Sequence, residues 1–546
     1  MSKDPSKAFL KLYRISDKQS STVIDVVQFP TADGKVDTIE LPPSIVAKPQ
    51  ILLSTLLDHN AALPADASAR KDIAHKLAAE TPNRFLIRAA STGWVNGTST
   101  YVLANDALGK DGHKYAGGPI FPNEFRLRTV GDLETWKKTA SKLALLSSPW
   151  VCAMCTPFAA PLLKFSGVDP FTLCLSGTTH SGKSLGTLLA GSVIGFGEKD
   201  QLPTWQISKA RLQERLPAYN DSMFALDDLE NSDGGEKDQY LRVRALAYKI
   251  ANGSGMERSK TYDKAHNLTH EKWRVIALTS AEITIARKAS YSGEKRKNGE
   301  ALRLIDLPVI SDRTGDIFDR VGSDQNRLAW AQKQFGKVVK ACKENHGTAQ
   351  RAYIAAIIQL GNKLEPTIKA HIEEFLALVN DECTTSQANA LARRFGLLFA
   401  GGAMAIKFKL VAWTMPELEQ AISCCFSRAR NLLQDEDSVL RDGRVLLAKW
   451  LTDTSSKLNK GESDKSLAAR LVGMGDVFLI PRITFNGIFH SRTQKTAVEN
   501  WLLQNRYLTR GNHQDAQEQH IWPDGERRRS VRLNWPEASR SKINRE

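Results

Sequence analysis

No apolar run in this 546-residue chain approaches the about 18 residues that a membrane-crossing helix requires. The opening stretch, MSKDPSKAFLKLYR, lacks the apolar centre of a secretory signal, so a cytoplasmic protein with no membrane partner is expected. Cysteine is sparse and odd in number, at seven, which argues against a disulfide framework. Cys152 and Cys155 form a single CxxC inside an apolar stretch with no second pair to complete a zinc site, and the adjacent Cys424 and Cys425 are far away in sequence. Buried thiols are the expected reading. The histidines show no HExxH or other paired ligand spacing, which argues against a catalytic metal other than Mg²⁺. Internal repeats and long low-complexity tracts are absent too, which argues against solenoids and disordered arrays. Acidic residues are in deficit, 60 against 75 lysines and arginines, for a net charge of +15. That excess favours a polyanionic partner.

Ordinary globular composition, 42% hydrophobic and 25% charged, permits a large core. Residues 1–20 are polar and read as a flexible segment. Residues 21–130 read as a β-rich domain: STVIDVVQF, FLIRAA, GWVNGTSTYVL and GGPIFP are short, β-branched or aromatic, and broken by turn residues, with Asn96-Gly97 as a hairpin turn. One helix, about 66–80, interrupts them. From 131 to 310 a leading helix is followed by apolar strands alternating with helices, the pattern of an α/β core. Residues 311–457 read as a helical domain, and 458–546 as a small mixed unit with a basic tail.

The stretch from Gly177 to Ser184 reads GTTHSGKS, a full match to G-x-x-x-x-G-K-[ST]. It lies between a strand, FTLCL, and a helix, SLGTLLAGSVIG, the order in which such a loop binds phosphate. Gly177 and Gly182 permit the turns that aim backbone N–H groups inward, and Thr178, Thr179, His180 and Ser181 complete the cradle. Lys183 is placed to reach the β- and γ-phosphates of ATP, and the Ser184 hydroxyl to ligate Mg²⁺. His180 reads as a tolerated variable position.

Three further positions are expected near the phosphates. The apolar strand of DSMFALDDLEN ends in Asp227, the metal ligand, and Asp228, which orients the attacking water, with Glu230 as a lesser substitute. A third strand, WRVIALTSAE, ends in Thr279 and Ser280; Thr279 is the preferred γ-phosphate contact. Arg303, before another strand, and Arg258 are candidates for a cation acting on a neighbouring subunit's nucleotide.

The ordered run of PLLKFSGVDPFTLCLSGTTHSGKSLGTLLAGSVIG, YNDSMFALDDL, AYKIANGSGMERS, WRVIALTSAEITIA and GEKRKNGEALRLIDLPV resembles domain-of-unknown-function family 927. These are helicase-like P-loop proteins of phages, plasmids and mobile islands. The likeness runs from about Phe85 to Trp450. It implies an AAA+-like ATPase core; together with the residue reading, the expected fold class is an α/β P-loop NTPase (AAA+-like) core with a β-rich N-terminal domain, a helical domain and a C-terminal winged-helix-like unit. The chain departs from the family's pattern where Asp228 stands for glutamate, Met256-Glu257 for Gly-Lys and Ala281 for glycine; Glu282 is kept.

Nucleic-acid contacts are expected from Arg258, Lys260, Lys264 and His266 in the loop before the third strand, and from the Lys295–Lys297 cluster. In the C-terminal unit TAVENWLLQNRYL reads as an amphipathic helix, with Ala497, Trp501, Leu502 and Leu508 among its apolar positions. HIWPDGERRRSVRLNW reads as a hairpin carrying Arg527, Arg528, Arg529 and Arg532, which strand alternation divides between two faces. The expected whole is an ATP- and Mg²⁺-dependent DNA helicase or translocase of a mobile genetic element, acting on single-stranded DNA as a homo-oligomer, a hexameric ring, with a primase or replication initiator as possible partner. The alternative is a weakly hydrolysing, ATP-binding scaffold, initiator or loader; a small-molecule kinase would leave the long extensions unexplained.

Overall fold

The computed structural model describes residues 5–18, 21–95, 97–121, 125–231, 234–254, 272–294, 296, 298–321, 326–433, 436–458, 469–472, 477–490, 492–508, 518–521 and 527–534. The chain divides into two units, 1–433 and 434–546.

The first unit opens with β1 (Leu10–Asp17), β2 (Val23–Pro30) and β3 (Val36–Leu41), then α1 (Pro49–Asp58) and α2 (Ala67–Ala79). β4 (Phe85–Arg88) completes the next segment. A five-stranded sheet follows the order β3-β2-β1-β4-β8, where β8 is Tyr115–Gly117. Within the segment expected to be flexible, residues 10–17 are a paired strand: β1 pairs antiparallel with β2 and parallel with β4. Its LKLYRIS alternation buries Lys11 and Ile15, and the lysine is compatible with burial because its ammonium lies 3.5 Å from the buried Asp25 carboxylate. α1 begins at Pro49, whose fixed φ suits the first helical position. α2 is capped by Asp66, which accepts the Ala69 N–H at 2.8 Å. Both helices pack their leucines over Val27 and Phe29 of β2. Of GGPIFP, expected as a strand, Gly117 ends β8 and residues 118–121 form none; Pro122 lies outside the described residues.

A three-stranded antiparallel sheet, β5 (Gly93–Val95), β6 (Thr100–Val102) and β7 (Ala107–Gly109), follows. Gly97, with φ of 73°, lies in the β5–β6 turn; Asn96 lies outside the described residues. This sheet is anchored by Asp221. Its fully buried carboxylate accepts the Trp94 N–H at 3.0 Å and both Nε and Nη2 of Arg274.

The central layer is a wholly parallel sheet in the order β10-β11-β9-β12. Its parts in chain order are α3 (Ser148–Ala159), β9 (Phe171–Ser176), α4 (Lys183–Ile194), β10 (Ser222–Leu226), α5 (Glu236–Asn252), β11 (Val275–Ala281), α6 (Asn298–Arg303) and β12 (Leu304–Pro308). Strand alternation feeds two cores. Leu173, Leu175, Ile276 and Leu278 face a large cluster with α3 and α4, while Cys174, Val275 and Ala277 face Tyr240, Val243 and Ile250 of α5. Both faces are covered, as a parallel sheet requires.

Helices α7 (Arg327–Glu344), α8 (Thr348–Leu360), α9 (Leu364–Leu378), α10 (Ser386–Lys407) and α11 (Met415–Arg430) share that large core rather than forming a separate helical domain. The reason is close approach. A Cβ on Gly401 of α10 would stand 2.6 Å from the Ala159 nitrogen, and one on Gly402 would stand 2.9 Å from the Cys155 sulfur. α3 is buried along its entire length between the sheet and these helices. Cys152 and Cys155 are buried free thiols, and burial pushes the Cys155 thiol far up its scale.

The second unit begins with α12 (Glu436–Leu458), which the sequence assigns to the preceding helices. β13 (Arg470–Val472), β14 (Val477–Pro481), α13 (Arg492–Gln504), β15 (Glu518–Ile521) and β16 (Arg527–Asn534) complete it, with sheet order β13-β14-β16-β15. Leu447 and Leu451 of α12 enter a core with Val498 and Leu502 of α13 and Phe478 of β14. Arg444 lies 4.2 Å above the Trp501 ring, covering its face. Among the described residues no helix is long and apolar enough to cross a membrane.

Candidate functional site

The glycine loop leaves the C-terminal end of β9, a central strand. Its last residue, Ser176, pairs with Ala281 of β11 and Pro308 of β12, so the loop emerges where three strand ends align. The Gly177 N–H donates to the Ala281 carbonyl at 3.1 Å, which pins the loop to β11. Gly182 has φ of 91° and begins α4 with no side-chain cap. The N–H groups of the first turn of α4 therefore face the loop as an anion-attracting end. His180 also has positive φ, 60°.

Two aromatic residues brace this turn, and sequence reasoning did not find either. The Trp150 indole N–H donates to the Gly182 carbonyl at 3.0 Å. A Cβ on Gly182 would meet the Phe335 ring of α7 at 2.9 Å. Phe335 lies in the segment 311–457 that the sequence marks only as helical.

Lys183 is buried, 8% exposed, and its ammonium donates to the carbonyls of Gly177 (2.7 Å) and Thr178 (2.8 Å). Burial lowers its pKa, while Glu230, Glu282 and Asp228 act in the opposite direction. The positive charge thus sits inside the curl of the loop.

Ser184, Asp227 and Ser280 meet beside it. Ser280 Oγ donates to Asp227 Oδ1 at 2.8 Å, and the Ser184 side chain bonds to the same carboxylate. Burial raises the Asp227 pKa and these hydroxyls oppose the rise. Two hydroxyls and a carboxylate offer the hard oxygen donors that a divalent cation such as Mg²⁺ takes.

Asp228 turns back with φ of 55°, and its N–H donates to Ser280 Oγ at 3.0 Å. A non-glycine residue in this region costs about 1–3 kcal/mol and persists where the surroundings impose it. The turn puts the Asp228 side chain on the wall of a cavity of about 450 Å³ above the loop. Residues Thr179–Leu185, Lys199, Ser280, Glu282 and one side of α7 line the rest. Thr178 is exposed on the loop. Thr179 Oγ1 donates to Glu282 Oε1 at 2.5 Å.

Thr279 does not line this cavity. It is fully buried, and its Oγ1 accepts the Trp205 indole N–H at 2.9 Å. Strand alternation gives adjacent hydroxyls opposite faces, and Ser280 holds the one at the site. Glu230 is occupied too: Oε1 accepts the Glu282 N–H at 3.0 Å and lies 3.3 Å from Lys288 Nζ. Lys199 and Glu282 are cavity residues for which the sequence reading had assigned no role.

Arg303 ends α6 just before β12, at the strand end opposite the glycine loop. It donates to the Gly299 carbonyl at 2.9 Å and lies 5.1 Å above the Tyr248 ring. It is remote from this cavity and, from this chain, cannot serve it. Arg258, Lys260, Lys264, His266, Met256 and Glu257 lie outside the described residues, as do Lys295 and Lys297. Between the latter two, Arg296 is buried and donates to Asp306 Oδ2 at 2.6 Å, so it is a structural residue rather than part of a basic surface. Arg527, Arg529 and Arg532 are exposed on β16 and Arg528 is half-buried; the Pro523-Asp524-Gly525 turn lies outside the described residues.

Residues 13–270 match the family model described as "Domain of unknown function (DUF927)". No curated protein matches the chain. A solved structure described as the active helicase "SCCmec type IV Cch" aligns over 98% of this chain and 94% of its own, at 13% identity and a TM-score of 0.55. The apo C-terminal region of NrS-1 aligns over 77% of this chain and 92% of its own, at 12% identity and a TM-score of 0.28. The family match begins and ends earlier than the motif resemblance, and it includes the glycine loop and the Asp227 strand. The chain is a mixed α/β protein that shares its fold with the SCCmec helicase, and its residues 13–270 match the DUF927 model.

Proposed function

We propose that this chain is an ATP-driven DNA helicase or translocase of a mobile genetic element, built on an AAA+-like P-loop core. The observation that carries the reading is the convergence of Lys183, Ser184, Asp227 and Ser280 at one end of a parallel sheet, under a cavity of about 450 Å³. The triphosphate would lie in the glycine loop and draw the Lys183 ammonium away from the Gly177 and Thr178 carbonyls. Leu328, Phe335 and Val339 supply an apolar wall suited to a nucleobase. Ser184 and Asp227 would hold Mg²⁺, which when bound neutralises charge on the phosphate oxygens. Asp228 then orients water, and Ser280 takes the γ-phosphate-contacting role first given to Thr279. Arg303 faces away from this chain's own cavity, so any part it plays is on a neighbour in a ring. The C-terminal unit, read as winged-helix-like, presents Arg527, Arg529 and Arg532 to phosphate backbones. Single-stranded-DNA-stimulated ATP hydrolysis tests the reading: it is expected in the wild type and absent in Lys183→Ala. Equal rates in the two proteins would sink it.

The second reading, a nucleotide-gated scaffold that hydrolyses slowly, is favoured by Asp228. Its carboxylate is a methylene shorter than glutamate, and Glu230 is already engaged by Lys288 and the Glu282 N–H.

A further inference from the structure

A groove of about 620 Å³ runs between the helical stretch 133–144 and α7. It is distinct from the cavity above the glycine loop. At 100° per residue, Phe335 and Val339 lie on one side of α7, and Lys337, Ala341 and Glu344 on nearly the opposite one. The floor is apolar, formed by Leu143, Leu145, Leu146 and Ala341. The rim is cationic: Lys138 and Lys142 on one wall, Lys337 and Lys340 on the other, all exposed. Glu344, the acidic residue of the lining, is 3.9 Å from Lys340. Lys137–Ser141 form a π turn in the first wall, a widening often found where a helix serves another purpose than packing.

We propose that this groove docks an acidic, amphipathic helical segment of a partner protein. An apolar floor between two rows of lysines is complementary to a helix with one apolar stripe flanked by carboxylates. Nucleic acid fits less well: the lining contains no aromatic ring on which a base could stack. From Gln334 to Glu344, α7 offers about 15 Å of wall, the length of about three helical turns. The inference does not depend on the nucleotide reading, because α7 presents the groove whether or not the loop binds ATP.

The test uses the full chain and a fluorescein-labelled synthetic peptide of about twelve residues, with Leu and Phe at i, i+3, i+4 and i+7 and Glu or Asp elsewhere. Fluorescence anisotropy should give a dissociation constant of about 1–100 μM. Reversing the rim with Lys138→Glu, Lys142→Glu, Lys337→Glu and Lys340→Glu together should weaken binding more than about tenfold, as should about 0.5 M salt. All four side chains are exposed, so the fold tolerates their replacement, and an unchanged circular dichroism melt confirms it. A peptide with Gln and Asn in place of its acids should bind correspondingly less. Absence of binding to the wild type, undiminished binding to the reversed variant, or displacement of the peptide by a single-stranded oligonucleotide would each overturn the proposal.

Discussion

The Trp205 indole N–H donates to Thr279 Oγ1 at 2.9 Å, which occupies the one of two adjacent hydroxyls that β11 turns away from the site. Thr279 is committed to the core beneath β11; Ser280, one residue on, faces Asp227 and Asp228. Ser280→Ala should therefore lower ATP turnover by about 100- to 1,000-fold, the range for losing one transition-state hydrogen bond. Thr279→Val should leave turnover within about twofold but lower stability by about 1–3 kcal/mol, because it strands a buried indole N–H. Steady-state kinetics and chemical denaturation of both variants separate the roles, and the reverse pattern would return the assignment to Thr279.

Burial raises the Asp227 pKa above the ordinary carboxylate value of about 4. The sign for cation binding follows directly. Mg²⁺ requires the ionised carboxylate, so affinity is complete above the raised pKa and falls as pH drops through it, at a higher pH than an exposed aspartate would show. For folding, the native state keeps this proton to higher pH than the unfolded chain. Asp227 therefore lowers stability as pH rises through that window. Titrating Mg²⁺-dependent nucleotide affinity downward from pH 7 checks the first statement, and Asp227→Asn should remove the dependence.

Gly182 combines φ of 91° with the Phe335 ring 2.9 Å from where a Cβ would lie. Gly182→Ala should cost about 1–3 kcal/mol and open the loop. Nucleotide affinity and the thermal midpoint should fall together. Phe335→Ala should cost less stability in the Gly182→Ala background than in the wild type, since it removes the ring that the methyl strikes.

Lys199 lines the cavity from the segment after α4, and Asp228 and Glu282 line the same cavity. Lys199→Ala should weaken triphosphate binding about three- to tenfold while leaving adenosine binding unchanged, because only the phosphates need its charge. Calorimetric titration with both ligands reads this difference.

Asp228→Glu distinguishes the motor from the scaffold. Restoring the missing methylene should raise turnover at least about tenfold if the short carboxylate limits hydrolysis. An unchanged or lower rate would mean that the strained backbone at φ of 55° already places Asp228 correctly.

What was legible in the sequence has a common cause. The glycine loop, Lys183, Ser184 and Asp227 are positions whose residue types a phosphate site dictates, so local spacing was enough to bring attention to them. The bracing of that loop was not readable. Trp150 precedes it by about thirty residues and Phe335 follows it by about 150, and only tertiary packing brings them to Gly182. Thr279 and Ser280 are chemically equivalent in a sequence, and the face each takes depends on how β11 is seated between β10 and β9. The β1 strand was passed over because Lys11 and Arg14 make it look solvated; Asp25, on β2, is what pairs them. The unit boundary was misplaced because α12 continues the helical pattern before it, although its Leu447 and Leu451 belong to the C-terminal core. Arg296 looked like part of a basic loop until Asp306 was seen beside it.

Equilibrium binding of Mg²⁺-ATP to the wild type, Lys183→Ala and Asp227→Asn measures the central claim most directly. The account predicts that Lys183→Ala weakens binding about 10- to 100-fold, the loss of a charge-assisted contact, and that Asp227→Asn abolishes only the Mg²⁺-dependent part. Indistinguishable affinities in all three proteins would contradict it.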